Sequence, residues 1–556
     1  MRGHARRGAD ALWLLIPLLL YVAFAALVYV VQGAEPELSI DHIAYFKLTD
    51  GIRAGHPDGA YWRDFDALRS YAVLLAYGYD LTASHIMSLK LLLAGMTVAY
   101  LIAFERLAFL FTGSRPLSVL FSLLSAFFVS FGASFWGMTD FTASLNRTLV
   151  VPFFVLILWF FLRFRESPWR YASYPLLVAL SLLHLSTYYL LLVLLVYESL
   201  EFLFLRRAKL DRRVLYFAAG VGAALLTRQL IAITDLGFTS FVTNTFDVAW
   251  GPGLLPKQLA KLSPEESWAI EIYAFPWRNM PPPLTTLGNL ALSYSAIFAL
   301  SVAGAIAARR RDWNQLDRMM LLFAGAVFVS AYGLQTLLWG VRRLAPIYPI
   351  NFEEIRSISF LMIPSVYFVS RLVAMLAGQA TPWRHALAAA IVLVFLLQPV
   401  LVLRSLPLGW REALFERLTH SGALKDGDSL RTLYARQYLG LATEGPRFYY
   451  SAKGLLAWLA TNAQPGDRVL TDRNEIGLAR VPLVGAFQNV TTMSVTNATR
   501  RAWKQEVDAV SSALASRNID EVLRVAKTLH ATLVVVPWPQ PGALYQDEYF
   551  SVLRVG

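Results

Sequence analysis

The sequence predicts a polytopic α-helical membrane protein of about eleven transmembrane helices, followed by a soluble α/β domain. Three observations carry this. Of the 556 residues 56% are hydrophobic and the mean hydropathy is +0.48, against roughly 45–50% apolar residues in an ordinary soluble domain. Apolar runs recur along the first 403 residues, each near the ~20 residues a helix needs to cross a bilayer. From residue 404 charges and turn residues return, and short strand patterns alternate with amphipathic helices. The chain therefore divides into a membrane domain, 1–403, and a C-terminal domain, 404–556.

The first span is "ALWLLIPLLLYVAFAALVYVV" (11–31), behind the basic leader "MRGHARRGAD". It exceeds the roughly 7–15 apolar residues of a cleaved signal, so it reads as a retained span. Further spans fall near 84–104, 116–134, 147–162, 171–185, 186–205, 214–233, 287–307, 318–338, 357–375 and 385–403. Read as one helix, 171–205 would run about 50 Å, too long for a single crossing. A turn at "LLHLSTYY" (182–189) makes it two short spans.

Charge sets the orientation. "RLAFLFTGSR" (106–115), "RFRESPWR" (163–170), "RRAKLDRR" (206–213) and "RRRDWNQLDR" (309–318) fall on one side when the spans alternate, together with the N-terminus. That is the positive-inside bias. It places the N-terminus in the cytoplasm and puts 32–83, 135–146, 234–286, 339–356 and 404–556 on the outer side. The net charge of +12 is thus a topology signal, and no nucleic-acid partner is implied. The chain has no cysteine, which removes disulfides, thiolate chemistry and Cys-type zinc sites.

In the tail, "SAKGLLAWLATNA" (451–463) reads as an amphipathic helix and "QPGD" as a turn. "RVLTD" (468–472) and "PLVGAF" (482–487) read as short strands. "TRRAWKQEVDAVSSALAS" (499–516) and "IDEVLRVAKTLH" (519–530) have helical spacing, and "ATLVVVPW" (531–538) and "YFSVLRV" (549–555) are strands. Alternation of this kind predicts a largely parallel sheet. No Gly-x-Gly-x-x-Gly or Walker A pattern occurs, so nothing points to a nucleotide there.

The residues with candidate chemistry lie on the outer side. "SIDHIAYFKLTDGI" (39–52) reads as a helix at the membrane surface with Ile40, Ala44, Leu48 and Ile52 on one apolar face. Asp41 falls in its first turn, where an acid complements the helix dipole or serves as a base or ligand; His42 adjoins it. Asp140 is the one acid of the short loop "FWGMTDFTASLNR" (135–147), a turn residue or a site residue. Asp64 and Asp66 form an Asp-x-Asp pair that offers oxygens to a divalent cation, although a solvated face is favoured and no metal ligand is assigned.

Arginines on the outer side run against the charge bias and need another reason. Arg228 sits inside "LLTRQLIAI" (225–233), Arg343 in "LLWGVRRLAPIYP" (337–349) and Arg356 in "NFEEIRSISF" (351–360). Guanidinium binds phosphate through two parallel hydrogen bonds. A salt bridge to Glu353 accounts equally for Arg356. His184 stands at the inferred turn, as an interior histidine or a site residue. Trp277, in the long outer loop 234–286, suits either a sugar face or the headgroup region.

Taken together, the early outer acid in "SIDHIAYFKLTDGIRAG", the second at Asp140, the helical pair broken at "LLHLSTYY", the long outer loop and the tail "LLAWLATNAQPGDRVLTD … ATLVVVPW" resemble the GT-C superfamily of polytopic glycosyltransferases that use polyprenyl-phosphate sugars. The resemblance covers most of the chain through degenerate motifs. The tail is similar to the end of many bacterial members, and this likeness alone implies a bacterial inner membrane with the outer side in the periplasm. It implies Asp41 as catalytic base, a secondary acceptor-side or metal-side role for Asp140, and lipid-phosphate binding by arginines at the outer ends of later spans. Where the family often carries a second acid after the first, this chain has His42. The implied partners are a polyprenyl-phosphate sugar donor, a glycan, lipid or protein acceptor of the cell envelope, and membrane lipids. The alternatives are a flippase or transporter of lipid-linked sugars, and an O-antigen polymerase or ligase type of enzyme.

Overall fold

In the computed structural model the described residues are 2–31, 40–53, 66–126, 138, 146–184, 186–206, 211–233, 295–311, 313–333, 354–378, 381–396, 408–421, 445–473, 476, 479, 481–485 and 497–556. The chain forms two compact units. The first comprises Met1–Glu37, Trp62–Pro252 and Ala274–Gly440; the second comprises Leu38–Tyr61, Gly253–Tyr273 and Leu441–Gly556. Contacts thus group the stretch after the first helix with the C-terminal residues, where composition alone draws its line at 403/404.

The helical unit is built from α1 (Arg2–Val31), α3 (Asp66–Thr82), α4 (His85–Thr112), α5 (Arg115–Ala126), α6 (Val151–Arg163), α7 (Ser173–Leu180), α8 (Thr187–Leu200), α9 (Arg212–Ile233), α10 (Ser295–Arg309), α11 (Gln315–Phe328), α12 (Met362–Ala377), α13 (Pro382–Leu396) and α14 (Leu408–His420); α2 (Ile40–Arg53) belongs to the second unit. Among the described residues four segments are long and apolar enough to cross a membrane: His85–Thr112, Thr187–Leu205, Gln315–Gly333 and Ser357–Ala377. Shorter apolar helices cover Leu15–Tyr29, Arg115–Ala126, Val151–Arg163, Ala296–Arg309 and Pro382–Val394. They overlap nine of the eleven sequence-derived spans; no candidate covers 171–185 or 214–233 among the described residues. α4 runs for about 42 Å and starts on Ser84, whose side chain accepts from the Met87 N–H at 3.3 Å.

The expected break at "LLHLSTYY" is present: α7 ends at Leu180 and α8 starts at Thr187. α7 itself is only about 12 Å long. It continues from a 3-10 turn, Pro168–Ala172, while α8 runs on through a π turn, Glu201–Leu205. The pair is a hairpin whose two outer ends meet, because Arg170 Nε donates to Glu198 Oε1 at 2.9 Å and Arg170 Nη2 to Glu201 Oε2 at 2.6 Å.

That meeting point gathers the basic loops at one end of the unit. Arg213 at the start of α9 pairs with Glu166 after α6, and Glu166 in turn accepts from Gln315 at the start of α11. Asp317 on α11 accepts from the Tyr367 hydroxyl on α12 at 2.6 Å. The Tyr367 ring meets Phe111, near the end of α4, edge-on at 5.0 Å. The four arginine-rich stretches of the sequence thus share one end of the bundle, as the alternating reading requires.

The second unit carries a five-stranded sheet of order β2-β1-β3-β5-β4: β1 (Val469–Leu470), β2 (Leu483–Val484), β3 (Leu533–Val536), β4 (Tyr545–Gln546) and β5 (Ser551–Arg554). β1 pairs parallel with β2 and β3, whereas β5 pairs antiparallel with β3 and β4. The sheet is therefore mixed rather than largely parallel. β3 and β4 run the same way on either side of β5. The chain enters β5 from β4 through the tight turn Asp547–Phe550, where the Asp547 N–H donates to the Phe550 carbonyl at 3.0 Å, and so short a return permits only antiparallel pairing.

All four residues of β3 are buried, because helices cover both faces. Leu533 and Val535 pack with Ala452, Leu455 and Leu459 of α15 (Gly445–Asn462). Val534 and Val536 pack with Val510 and Leu514 of α16 (Asn497–Ala515) and with Val522 and Val525 of α17 (Ile519–Thr528). Gly485, at φ +79°, closes β2 so near α16 that a Cβ there would fall 2.3 Å from Val510 Cγ2, and only glycine suits such a position.

Candidate active site

α2 places the first candidate residues. Asp41 is its second residue, so its backbone lies in the positive first turn; its side chain is outside the described residues. His42, Tyr45, Phe46 and Thr49 are all buried. Their spacing of three, four and seven marks one helical face. The Thr49 hydroxyl turns back onto the Tyr45 carbonyl at 2.8 Å, which satisfies a polar group on that buried face. The buried face is thus aromatic and polar. By helix geometry the positions of Ile40, Ala44 and Leu48 fall on another side, since two residues correspond to a turn of about 200°; their side chains lie outside the described residues. Ile52, at the boundary, is half-buried, and so is Asp50.

The end of the helical unit opposite the arginine-rich loops holds the other described candidates. His184 is half-buried in the α7–α8 turn. The Ser186 N–H donates to its Nδ1 at 3.0 Å and the Ser186 hydroxyl lies 2.8 Å from the same atom. A ring nitrogen that accepts a backbone N–H carries no proton, so the proton is on Nε2. The histidine is a turn residue by this geometry.

Arg228 is exposed on α9, five residues before the helix ends. Leu225, Leu226 and Leu230 around it are exposed as well. No carboxylate pairs with it among the described residues. Arg356 lies in a 3-10 helix, Glu354–Leu361, that leads into α12; its side chain is outside the described residues, as are Asp140, Arg343 and Trp277 altogether.

One hydrogen-bonded clamp reaches Met138, in the stretch that carries Asp140. The Tyr29 hydroxyl donates to the Met138 carbonyl at 2.9 Å, and the Thr97 hydroxyl donates to the same oxygen at 3.2 Å. The two hydroxyls stand 2.9 Å apart. Tyr29 closes the first span, Thr97 is midway along α4, and Met138 precedes Asp140 by two residues. Both hydroxyl-bearing residues are buried. Neither drew attention in the sequence, because a tyrosine ending a span usually marks the headgroup boundary.

The charged cluster around Arg170 was also missed. Arg170, Glu198 and Glu201 are all buried, and the Arg170 guanidinium lies over the Phe161 ring at 4.6 Å. Its Nη1 donates to the Arg165 carbonyl at 3.0 Å, so every side of the guanidinium has a partner. In the adjoining loop, Gln315 and then Arg213 hold the Glu166 carboxyl below the usual range. A signal existed: two acids three residues apart in "LLLVLLVYESLEFLFL" (190–205) need a buried cation.

Fold and side-chain arrangement together define a helical protein with several helices long and apolar enough to cross a membrane, a small mixed-sheet domain, polar groups clustered at one end of its helical unit and, toward the other, an arginine that no carboxylate pairs with among the described residues. No family model matches the sequence, and no curated protein matches it. Among solved structures, the chain is similar to the crystal structure of ArnT from Cupriavidus metallidurans bound to undecaprenyl phosphate, with a TM-score of 0.45 and 14% identity over 97% of this chain and 98% of that one. No residue or role is carried across from that likeness.

Proposed function

We propose that this chain is an integral membrane glycosyltransferase of the GT-C type. It moves a sugar from a polyprenyl-phosphate donor to an acceptor hydroxyl at the outer face, with inversion. The observation that carries the reading is Arg228: a guanidinium with no carboxylate partner among the described residues, set among exposed leucines toward the end of a helix, opposite the basic loops. An ionisable residue at such a depth calls for a ligand. A lipid phosphate supplies both the acyl environment and the anion.

In this scheme Asp41 accepts the proton of the acceptor hydroxyl as the oxygen attacks the anomeric carbon. The bond from that carbon to the phosphate oxygen breaks, and polyprenyl phosphate leaves as an anion. Hydrolysis of an ordinary glycoside by inversion needs a carboxylic acid to protonate the leaving oxygen. A phosphate leaves without one, provided its charge is met by arginine; Arg228, Arg343 and Arg356 are the candidates. Asp140 has a supporting role on the acceptor side. His42, His184 and Trp277 are the further candidates for contacts to the substrates. The basic loops mark the cytoplasmic side of an inner membrane, and the sheet domain is periplasmic.

The test is incubation of the purified chain with labelled polyprenyl-phosphate sugars and crude envelope lipids. Label transferred to a new product, with polyprenyl phosphate released, supports the transferase. Translocation of labelled lipid across vesicles without transfer points to a flippase instead.

A further inference from the structure

The end of the helical unit that gathers the basic loops carries more positive charge than its acids meet. The acids described there are Glu105, Glu166, Glu198, Glu201, Asp211 and Asp317, and each has a partner. Glu105 accepts from Tyr21 and faces Arg115. Glu166 and Asp211 pair with Arg213 and Arg206, and Glu198 and Glu201 hold Arg170. Asp317 is fully buried, closes a capping box with Asn314, and has Tyr367 at 2.6 Å and Arg371 at 3.7 Å.

Several described arginines there have no carboxylate partner among the described residues, Arg106, Arg163 and Arg212 included, and four of them lie close together in sequence. Arg309, Arg310 and Arg311 end α10, and Arg318 lies in the first turns of α11. All four are exposed, and no carboxylate pairs with any of them among the described residues. Two tryptophans flank them. The Arg309 guanidinium stands over the Trp313 ring at 5.5 Å, and Trp313 Nε1 donates to the Ala305 carbonyl at 3.4 Å. Trp383, 60% exposed, opens α13 beneath the guanidinium of Arg384 at 5.0 Å. α13 follows directly on α12, whose Tyr367 and Arg371 reach Asp317, so α10, α11 and α13 present these groups at the same end.

We infer that this surface is a docking site for anionic lipid, specifically phosphodiester headgroups of the leaflet that faces the basic loops. Tryptophan settles at the headgroup level, with its ring toward the acyl chains and its N–H toward polar atoms. The arginines beside it then stand in the plane of the phosphates, and guanidinium takes a phosphate through two parallel hydrogen bonds. The occupant follows from charge complementarity: four exposed arginines with no carboxylate partner among the described residues, edged by Trp313 and Trp383, meet a row of fixed anions. A basic residue near an anionic leaflet favours binding by about five-fold each. The inference is independent of the transferase reading.

The experiment is native mass spectrometry of the full chain in mixed micelles with equal amounts of phosphatidylglycerol and phosphatidylcholine, counting retained lipids. The unsubstituted protein is expected to retain phosphatidylglycerol in clear preference, with the preference falling in high salt. The combined Arg309→Gln, Arg310→Gln, Arg311→Gln, Arg318→Gln variant loses it. The four Arg→Lys changes keep the charge and keep the preference, which separates a lost site from a lost fold. A control that removes charge elsewhere, Arg468→Gln with Arg517→Gln, leaves it unchanged. Equal retention of the two lipids by the unsubstituted protein overturns the inference. So does displacement of the lipid by equivalent inorganic phosphate, which would mark a free-anion site.

Discussion

Arg170 donates from Nε to Glu198 Oε1 at 2.9 Å with both side chains buried in the helical unit. This pair joins the segment after α6 to the end of α8, and Glu201 on the following turn completes it. A buried pair of this kind is worth little against a well-packed apolar substitute, but removing one partner strands the other charge. Arg170→Met is expected to destabilise the protein by about 3–5 kcal/mol. Adding Glu198→Gln and Glu201→Gln should restore much of that loss, because no uncompensated charge remains. Thermal unfolding of the detergent-solubilised chain measures both, and equal damage in the single and triple variants would count against the pairing account.

The clamp on the Met138 carbonyl predicts an effect on activity rather than on folding. Tyr29→Phe removes one of two hydroxyls that hold this oxygen. A net hydrogen bond contributes about 0.5–1.5 kcal/mol, so transfer should fall by roughly two- to ten-fold. The loss is expected in kcat, with donor KM unchanged, and Thr97→Ala in the same background should add to it. Donor titrations with the two variants check this; a loss confined to KM places the clamp elsewhere in the cycle.

Packing of α10 against α12 depends on the absence of a side chain. A Cβ at Gly304 would lie 2.2 Å from the Phe368 carbonyl oxygen. Small residues let helices approach this closely in a bilayer, and overpacking costs about 1–3 kcal/mol. Gly304→Ala should lower the unfolding temperature of the solubilised protein, whereas Gly222→Ala, with open space around it, should not.

In the second unit Asp467 ties the turn before β1 to β3 and β5. Burial opposes its charge, but the Gln464 N–H at 2.8 Å, the Thr532 hydroxyl at 2.7 Å and Arg554 at 3.6 Å hold its carboxyl below the ordinary 3.8. A depressed folded-state pKa contributes stability that is fully present above the unfolded value and lost as pH falls through the folded one. Hydrogen exchange of the β3 and β5 amides in the full chain should therefore be constant from neutral pH down to about 4, once the intrinsic pH dependence is removed, and quicken below that. Asp467→Asn should quicken it at neutral pH and flatten the acid response.

Much of this architecture was legible in the sequence because it rests on periodicity and charge. The spans, the break at "LLHLSTYY" and the strand-helix alternation of the tail follow from apolar run length and turn residues. The common end of the basic loops follows from arginine placement. Other features depend on long-range partners that no local pattern states. The burial of His42, Tyr45, Phe46 and Thr49 in α2 is one such feature, while the side chains of Ile40, Ala44 and Leu48 lie outside the described residues. β4 (Tyr545–Gln546) is too short to leave a periodic trace, and the antiparallel pairing of β5 with β3, which makes the sheet mixed, depends on the turn between β4 and β5. Glu198 and Glu201 stood in plain view, but the cation they needed lay 28 and 31 residues earlier, in a loop read for topology alone. Of the candidate site, the structure describes His42, His184 and Arg228 with their side chains, and Asp41 and Arg356 by backbone.

The central claim is that Asp41, in the first turn of the helix after the first span, is the base of a lipid-linked sugar transfer. The direct measurement is the rate of label transfer from a polyprenyl-phosphate sugar by Asp41→Asn, beside the unsubstituted protein, at matched amounts of folded enzyme. A positioned base contributes about 10²–10⁴ in rate. A fall of that size with unchanged unfolding temperature and donor binding is the predicted result, and near-normal transfer by Asp41→Asn would contradict it.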